Sequence, residues 1–276
     1  MNKNPQEKNP NPELINVTEL TEYLYCPRKL YLKKIKQIRE PFTLPMLRGM
    51  LKHKILDYFN RDEPEMIQSI QSQLSEKEVE ALYKLLLEQK VHKVLTKHKS
   101  QIANFKLNTS DFYNELLEKS SLDIKEKSNS CYRFLCLGFL GQSLWKNITP
   151  KFQTELQLIS ESLELKGRID KVEITDSKII PYEIKTRQDI FESDKIQLAA
   201  YALLLESEFN KQISSGIIQS ESKKEEIQIN KELKDKVIEI KNQIKQLSSF
   251  DSVPEMQSNF KKCESCSLKK ICLEVE

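Results

Sequence analysis

The chain has few glycines, no long apolar run and little net charge, and each shortage argues against a class of protein. Only five glycines occur in 276 residues, which argues against an architecture built on a glycine-rich nucleotide-binding loop. The most apolar stretches, "FLCLGFLG" and "AAYALLL", are far too short to span a bilayer. A net charge of +3 is too small to indicate a nucleic-acid partner by itself.

The N-terminal stretch "MNKNPQEKNPNPE" is polar and contains no apolar segment of the kind found in signal peptides. We expect residues 1–13 to form a disordered tail, and we expect a cytoplasmic protein with no membrane association. In a reducing compartment, six cysteines are better explained by metal ligands than by structural disulfides.

Helical patterns occupy the first half of the chain. Thr18 is the expected N-cap of a first helix or helix pair that is interrupted at Pro27. Further helices are predicted over 44–59 and 75–100, the second with a capping-box pattern at its start, and helical sequence continues to about residue 145.

Strand patterns begin after Pro150. The stretch "FQTELQLISESLELKGRIDKVEIT" predicts a hairpin, and "KIIPYEIKT" predicts another strand. A helix over 193–209, capped by Ser193 or Asp194, comes next, and two short strands are expected to flank "SESKKEE". An amphipathic helix over about 231–248 precedes the C-terminal segment. The order predicts an α/β core preceded by a helical region.

A basic stretch runs from Arg28 to Arg39 and contains six Lys or Arg residues, no acid and one tyrosine. One interpretation is a solvated helix face. The other is a patch that contacts nucleic-acid phosphates.

Two acids and a lysine are expected to converge in the strand region. Asp170 ends the stretch "GRID", and Glu183 and Lys185 alternate in "YEIKT", so their side chains point to one face of a strand. Two carboxylates bind Mg²⁺ or Mn²⁺, and a lysine beside them orients a water and offsets charge on a phosphorus centre. The alternative is an ordinary cross-strand ion pair on a solvated sheet face.

Neighbouring residues extend this pattern. Gly167 precedes Asp170 by three positions, where close approach of another backbone is tolerable. Gln197 and Tyr201 share one face of the next helix, which is otherwise interpreted as a solvated face with a half-buried tyrosine. His53 follows Gly49 by one helical turn and is either a structural histidine or a further metal ligand.

Taken in order, these residues resemble the motif set of the RecB-like branch of the PD-(D/E)XK nucleases. The set comprises Gly-x-x-x-His (Gly49, His53), Gly-x-x-Asp (Gly167, Asp170), Glu-x-Lys (Glu183, Lys185) and Gln-x-x-x-Tyr (Gln197, Tyr201).

The resemblance implies a restriction-endonuclease-like core, with a mixed central sheet flanked by helices, and a role for each motif residue. His53, Asp170 and Glu183 would bind Mg²⁺ or Mn²⁺, and Lys185 would assist the attacking water. DNA would be contacted by Gln197 and Tyr201. Beyond the motif residues, we expect Arg168 and Arg187 to contact phosphates.

The cysteines narrow the resemblance. Cys26 lies in "YLYCPRKLYL", and "KKCESCSLKKIC" carries a Cys-x2-Cys-x5-Cys pattern formed by Cys263, Cys266 and Cys272. This arrangement is similar to that of the CRISPR-associated Cas-four exonuclease family, in which four such thiolates hold a [4Fe–4S] cluster. A four-thiolate zinc site remains the alternative by chemistry alone. Cys131 and Cys136 are competing ligands, but their apolar surroundings predict buried thiols.

The resemblance implies a single nuclease domain over 14–276, with a helical insertion at about 60–148 and an iron–sulfur module formed by Cys26 and 263–272. The implied function is a metal-dependent exonuclease on single-stranded DNA ends that trims new spacer fragments beside the CRISPR integrase. The alternatives are an exonuclease V-like repair nuclease and a non-catalytic iron–sulfur subunit that binds DNA.

Overall fold

The computed structural model describes residues 13–175, 177–220, 223–247, 253–256 and 260–275. The expected N-terminal tail therefore lies outside the described residues except for Glu13. No helix in the described part of the chain is long and apolar enough to cross a membrane.

The described residues form six strands and eleven helices. In chain order these are β1 Ile15–Asn16, α1 Val17–Tyr25, α2 Pro27–Lys34, α3 Leu44–Gln68, α4 Glu76–Lys97, α5 Lys99–Ala103, α6 Thr109–Cys136, α7 Gly141–Asn147, β2 Lys151–Ser160, β3 Leu165–Ile174, β4 Ile179–Ile184, α8 Glu192–Phe209, β5 Ser215–Gln219, β6 Lys224–Gln228, α9 Lys231–Leu247, α10 Phe260–Glu264 and α11 Lys269–Glu274.

The strands form one mixed sheet, as the family resemblance implied. Its order is β1-β3-β4-β5-β6, and β2 pairs with β3. Strands β2 and β3 form the predicted antiparallel hairpin, with Ser160 opposite Leu165 and Lys151 opposite Ile174. Strand β4 is antiparallel to β3 and parallel to β5, and helix α8 provides the crossover between β4 and β5.

One hydrophobic cluster lies between the sheet and helices α1, α8 and α9. Helix α8 is buried on nearly every side from Ile196 to Leu205, because it packs against both the sheet and its neighbouring helices. This burial holds the N-terminal half of α8 close to the end of β4.

A second hydrophobic cluster joins helices α3, α4, α6 and α7. Helix α3 extends well beyond the predicted 44–59 and continues through Pro64 to Gln68. The helical insertion expected at about 60–148 therefore shares α3 with the segment that carries His53, and α3 connects the helical region to β2.

Two predicted helix caps differ from those observed. Helix α1 is capped by Asn16, whose Oδ1 accepts from Thr18 N at 3.2 Å, and not by Thr18. Helix α8 is capped at Phe191, and Asp194 accepts a hydrogen bond from Phe191 N at 2.8 Å from inside the first turn. In both helices an acceptor side chain satisfies an N-terminal amide, but from a different position from the one the sequence indicated.

Four residues of the basic stretch after Cys26 make their contacts within the fold. Ion pairs join Lys29 to Glu40 at 2.6 Å, Lys33 to Glu22 and Glu40, and Lys34 to Glu13 and Glu19 at 3.0 Å. Arg28 is only 8% exposed and donates to the C-terminal segment. The structure therefore favours an internal electrostatic role over a phosphate-contacting patch for these four residues.

Candidate metal centre and cysteine cluster

Three side chains from three elements converge beside the β2–β3 hairpin. His53 projects from α3, Glu155 from β2 and Asp170 from β3, and each offers a ligand atom within 4.8 Å of the others. His53 Nδ1 lies 3.4 Å from Glu155 Oε1 and 3.4 Å from Asp170 Oδ1. Packing does not require a glycine at position 49, because an added Cβ there would meet no atom within 4 Å.

Glu155 has an unusual backbone conformation for a strand residue. Its φ is +54°, in the left-handed region, although Thr154 pairs with Lys171 and Leu156 pairs with Ile169 on either side. A non-glycine residue in this region carries strain on the order of 1–3 kcal/mol. The distorted strand places Glu155 opposite Asp170 and beside His53, and an exposed guanidinium, that of Arg168, contacts its other oxygen at 2.9 Å.

Asp170 and Glu183 form the acidic interior of the site. Asp170 Oδ2 accepts a hydrogen bond from Ile184 N at 2.7 Å, which fixes the carboxylate against the end of β4. Glu183 is 4% exposed, and its Oε2 has no hydrogen-bond partner within the described part of the chain. Burial and the nearby Asp170 charge raise the pKa of Glu183 to about 8, and burial also raises the pKa of Asp170.

The charges of the site also shift the pKa values of His53 and Glu155. Burial alone would lower the pKa of His53, but the carboxylates of Asp170, Glu155 and Glu183 raise it above its usual value. Burial alone would raise the pKa of Glu155, but the hydrogen bond from His53 and the charge of Arg168 hold it below its usual value. The raised pKa values of Glu183 and His53 both reflect neighbouring carboxylate charge, which a bound cation would offset.

Lys185 lies beside Glu183, as the strand alternation predicted. Its Nζ is 2.8 Å from Glu183 Oε1 and 3.2 Å from Asp194 Oδ1, and it donates to Gln197 Oε1 at 3.0 Å. Burial lowers the pKa of Lys185, but the two carboxylates raise it by more, so the ammonium stays protonated. The alternative considered from sequence, an ion pair on a solvated sheet face, is wrong because Glu183 is buried.

The next layer consists of Gln197 and Tyr201. They are 6% and 2% exposed, so the alternative of a solvated helix face is wrong. Gln197 Nε2 donates to Tyr201 Oη at 2.9 Å, which directs the amide oxygen of Gln197 toward Lys185. The ring of Tyr201 also packs at Gly167, where an added Cβ would lie 2.9 Å from Val17 Cγ2 and 3.3 Å from Tyr201 Cε1. The atoms that approach Gly167 closely belong to side chains, whereas the sequence suggested close approach of another backbone.

The two predicted phosphate-contacting arginines flank the site. Arg168 is 62% exposed. Arg187 is 36% exposed, donates to both carboxylate oxygens of Asp194 at 2.6 Å and lies 4.2 Å above the Phe191 ring. Asp194 thus bridges Arg187 and Lys185, and the hydrogen bond and charges of those two residues outweigh burial and lower its pKa.

The donor set fits a hard divalent cation. Carboxylate oxygens are the usual ligands of Mg²⁺ and Mn²⁺, and one imidazole is compatible with Mn²⁺. The orphaned Oε2 of Glu183 is a buried polar atom of the kind that a metal ion or an ordered water satisfies.

Four cysteines from both ends of the chain line one cavity. The cavity has a volume of about 430 Å³, and its lining includes Cys26, Cys263, Cys266 and Cys272. Cys26 is the N-cap of α2, with its Sγ 3.4 Å from Lys29 N. Burial raises the pKa of Cys26, and the proximity of Cys272 and Cys266 raises it further.

Backbone and arginine contacts hold these thiols in place. Cys266 N donates to Cys263 O at 3.2 Å, and Cys272 N donates to Leu268 O at 2.8 Å. Arg28 Nε donates to Cys272 Sγ at 3.2 Å, and its Nη1 donates to Pro254 O at 3.0 Å. Four thiols that line one cavity, with a neighbouring cation, fit a group that binds thiolates, either a [4Fe–4S] cluster or zinc.

The two remaining cysteines lie apart from this cavity, on α6. Cys131 is fully buried, and burial raises the pKa of its thiol to about 11. Cys136 is exposed, so the prediction of a buried thiol is confirmed for Cys131 and wrong for Cys136. Cys136 is the last residue of its helix, where the burial pattern of α6 has ended.

Comparison with known proteins gives one family match. The model of the PD-(D/E)XK nuclease superfamily matches residues 15–273.

Three curated relatives share part of the chain. The "CRISPR-associated exonuclease Cas4/endonuclease Cas1 fusion" of Leptospira interrogans is 31% identical over 153 residues, which are 50% of this chain and 28% of the relative. The "CRISPR-associated exonuclease Cas4" of Francisella tularensis is 32% identical over 120 residues, which are 42% of this chain and 60% of the relative. A fusion from Myxococcus xanthus with the same name as the first is 27% identical, over 50% of this chain and 26% of the relative.

The chain thus spans between about a quarter and three fifths of the length of these relatives. A solved structure entitled "Crystal structure of SSO0001" is 19% identical, covers 60% of this chain and 81% of that chain, and aligns with a TM-score of 0.32.

Proposed function

The chain belongs to the PD-(D/E)XK nuclease superfamily, and from this premise we propose that it is a metal-dependent deoxyribonuclease that acts on single-stranded DNA ends. The observation that carries the proposal is the convergence of Asp170, Glu183 and Lys185 around one buried site. A binding subunit without activity has no need for two crowded carboxylates, of which Asp170 raises the pKa of Glu183.

We assign the metal-binding role to His53, Glu155, Asp170 and Glu183. These residues would hold Mg²⁺ or Mn²⁺, which would supply Lewis-acid polarisation of the phosphate and a lower pKa of a bound water molecule. The sequence motifs predicted His53, Asp170 and Glu183 as metal ligands. The geometry of the site adds Glu155. Its place opposite Asp170 supports this addition, since a strained strand residue needs a compensating interaction.

Lys185 has a different role, because it stays protonated. An ammonium held by Glu183, Asp194 and Gln197 cannot act as a base, but it donates hydrogen bonds and carries a fixed positive charge. We propose that it orients the attacking water and stabilises the negative charge that develops on the phosphorane-like transition state. Such preorganised donors are worth about 100- to 1000-fold in rate.

Gln197 and Tyr201 act, in this proposal, mainly on Lys185. Both are buried and hydrogen-bonded to each other, so they fix the lysine from behind. The exposed guanidinium of Arg168 and the half-exposed one of Arg187 are better placed for DNA phosphates.

The names of the relatives support a role in CRISPR immunity. All three names contain an exonuclease called Cas4, and two of them join it to an endonuclease called Cas1. We propose that the chain trims DNA fragments before they are integrated as spacers, and that an endonuclease of the Cas1 kind is its partner.

We also propose that Cys26, Cys263, Cys266 and Cys272 hold a [4Fe–4S] cluster with a structural role. Such a cluster would tie the two ends of the chain together across the cavity that the four thiols line. Zinc bound by the same thiols is the alternative, and metal analysis separates the two.

Cleavage of an end-labelled single strand tests the proposal. The wild-type chain should degrade the strand with Mg²⁺ or Mn²⁺ and not with EDTA, and Asp170→Asn should be inactive. Glu173→Gln is a matched control, because Glu173 lies on the same strand outside the metal site and its hydrogen bond from Tyr182 Oη survives the change. Metal-dependent cleavage by Asp170→Asn at the wild-type rate would refute the proposal.

A further inference from the structure

A second cavity lies between helix α6 and the beginning of β2, apart from both the metal centre and the cysteines. Its volume is about 360 Å³, which is within the range of small-molecule sites. Four cations contribute to its lining, namely Lys127, Arg133, Lys151 and Lys171.

The two acids in the lining already have cationic partners. Glu63 is paired with Lys127 and also accepts from Tyr83 Oη at 3.1 Å. Glu126 is paired with Lys224 of β6. The lining therefore has an excess of positive charge that favours an anionic ligand.

Two half-buried aromatic rings lie among these cations. Trp145 of α7 and Phe152 of β2 both line the cavity. Lys151 Nζ is 5.4 Å from the Trp145 ring centroid, and Lys127 Nζ is 5.1 Å from the Phe152 centroid. Rings that stack with bases, beside cations that neutralise phosphates, are what proteins use to bind single-stranded nucleic acid.

The cavity lies close to the metal centre along the chain. Phe152 and Glu155 are three residues apart on β2, which corresponds to about 10 Å of strand. Glu63 and His53 are ten residues apart on α3, which corresponds to about 15 Å of helix. Strand β2 pairs only with β3 among the described strands, and helix α3, which carries both Glu63 and His53, packs against it. A short oligonucleotide is long enough to reach both places.

We propose that this cavity binds a nucleotide of the single-stranded DNA substrate at a distance from the bond that is cut. The base would stack on Trp145, because the Phe152 ring is already contacted by Lys127 and Lys171. Arg133 and Lys151 would contact the flanking phosphates. The proposal rests on the nuclease function proposed above and names a substrate-binding site for it. The cavity lies outside all of the motifs that carried the family resemblance.

The sequence provides a built-in reporter, because Trp145 is the only tryptophan of the chain. The wild-type protein is titrated with a twelve-nucleotide oligothymidylate in the presence of EDTA, because EDTA prevents metal-dependent cleavage during the measurement. We expect saturable quenching of the Trp145 emission that follows the binding curve obtained from the anisotropy of a labelled strand. Unchanged emission at saturating DNA would overturn the proposal.

Two variants separate the cavity from general electrostatic attraction. Arg133 is exposed and Lys151 is half-buried, so Arg133→Gln with Lys151→Gln should leave the fold intact. Loss of two phosphate contacts should reduce the slope of log affinity against log salt by about 1.4 for a single strand. Lys236→Gln, at an exposed position of helix α9, is the control and should leave the slope unchanged. Equal effects of the double variant and the control would overturn the proposal.

The outcomes also distinguish this proposal from the nuclease function. Cleavage without quenching refutes the cavity alone, whereas quenching and a variant-sensitive salt slope without cleavage support the cavity and refute the nuclease. Thymidine monophosphate should quench far more weakly than the oligonucleotide. Equal potency would mean that the cavity binds a released nucleotide and would overturn the proposal for a strand.

Discussion

Replacing Glu183 by glutamine should stabilise the metal-free protein at alkaline pH. The carboxylate of Glu183 is buried beside Asp170, with one oxygen that has no hydrogen-bond partner in the described structure. Glutamine has the same shape, and its amide oxygen can still accept from Lys185. The substitution therefore removes a buried charge without removing its main contact.

The magnitude follows from the pKa of Glu183, which burial and Asp170 raise from 4.5 to about 8. Between these values the folded state holds a proton that the unfolded state has released. The free energy of unfolding therefore falls as the pH rises from about 4.5 to about 8. At about 1.4 kcal/mol for each pH unit, ionisation costs the folded state up to about 5 kcal/mol above pH 8 and about 2 kcal/mol at pH 6.

Urea unfolding followed by far-UV circular dichroism in EDTA measures this difference. At pH 8.5, the unfolding free energy of Glu183→Gln should exceed that of the wild type by about 2–5 kcal/mol. At pH 6, this excess should be smaller by about 2–3 kcal/mol. Glu173→Gln, the half-buried control on β3, should change the free energy by less than about 1 kcal/mol at either pH. Added Mn²⁺ should stabilise the wild type and have little effect on Glu183→Gln.

An equal loss of stability at both pH values would refute this reasoning. It would mean that Glu183 is ionised and well compensated in the metal-free fold, and that the site needs no cation to balance its charge.

Three further substitutions give separate tests. Cys26→Ala should lose bound iron, whereas Cys131→Ala should keep it. Iron analysis of anaerobically purified protein and its absorbance at about 400 nm measure this. Colourless protein with one zinc per chain would contradict the cluster. Glu155→Gln should weaken Mn²⁺ binding by about 10- to 100-fold in calorimetry, and unchanged affinity would remove Glu155 from the ligand set. Gly167→Ala should destabilise the fold by about 1–3 kcal/mol in urea, because its Cβ would lie 2.9 Å from Val17; a neutral effect would mean that the neighbouring side chains move aside.

Periodic patterns predicted most of the fold. The hairpin of β2 and β3, the strands β4 and β5 and the amphipathic α9 form where alternation or helical spacing indicated them. Strand β6 begins at Lys224, inside the "SESKKEE" stretch that it was expected to follow. The capping box at Ser75 and Glu78 is also confirmed, with Ser75 N donating to Glu78 Oε2 at 2.7 Å. Such features depend on residues close together in sequence.

Tertiary contacts decide the features that the sequence did not indicate. Glu155 joins the site because the turn after β2 pairs Ser160 with Leu165, which places Glu155 opposite Asp170. Counting five residues outward from each side of that turn would have found it. The positive φ of Glu155 had no signal in the sequence.

The basic stretch was ambiguous for a related reason. Its acid partners come from other segments, as Lys34 with Glu13 and Glu19 illustrates, so local composition could not distinguish a phosphate patch from internal ion pairs.

The single-turnover cleavage rate of Lys185→Met at saturating Mn²⁺ tests the central claim most directly. The four proposed ligands remain in this variant, so Mn²⁺ should still bind, while the water and the transition state lose a fixed positive charge. We predict that cleavage of an end-labelled single strand slows by about 100- to 1000-fold with Mn²⁺ fully bound. Cleavage at the wild-type rate would contradict the account.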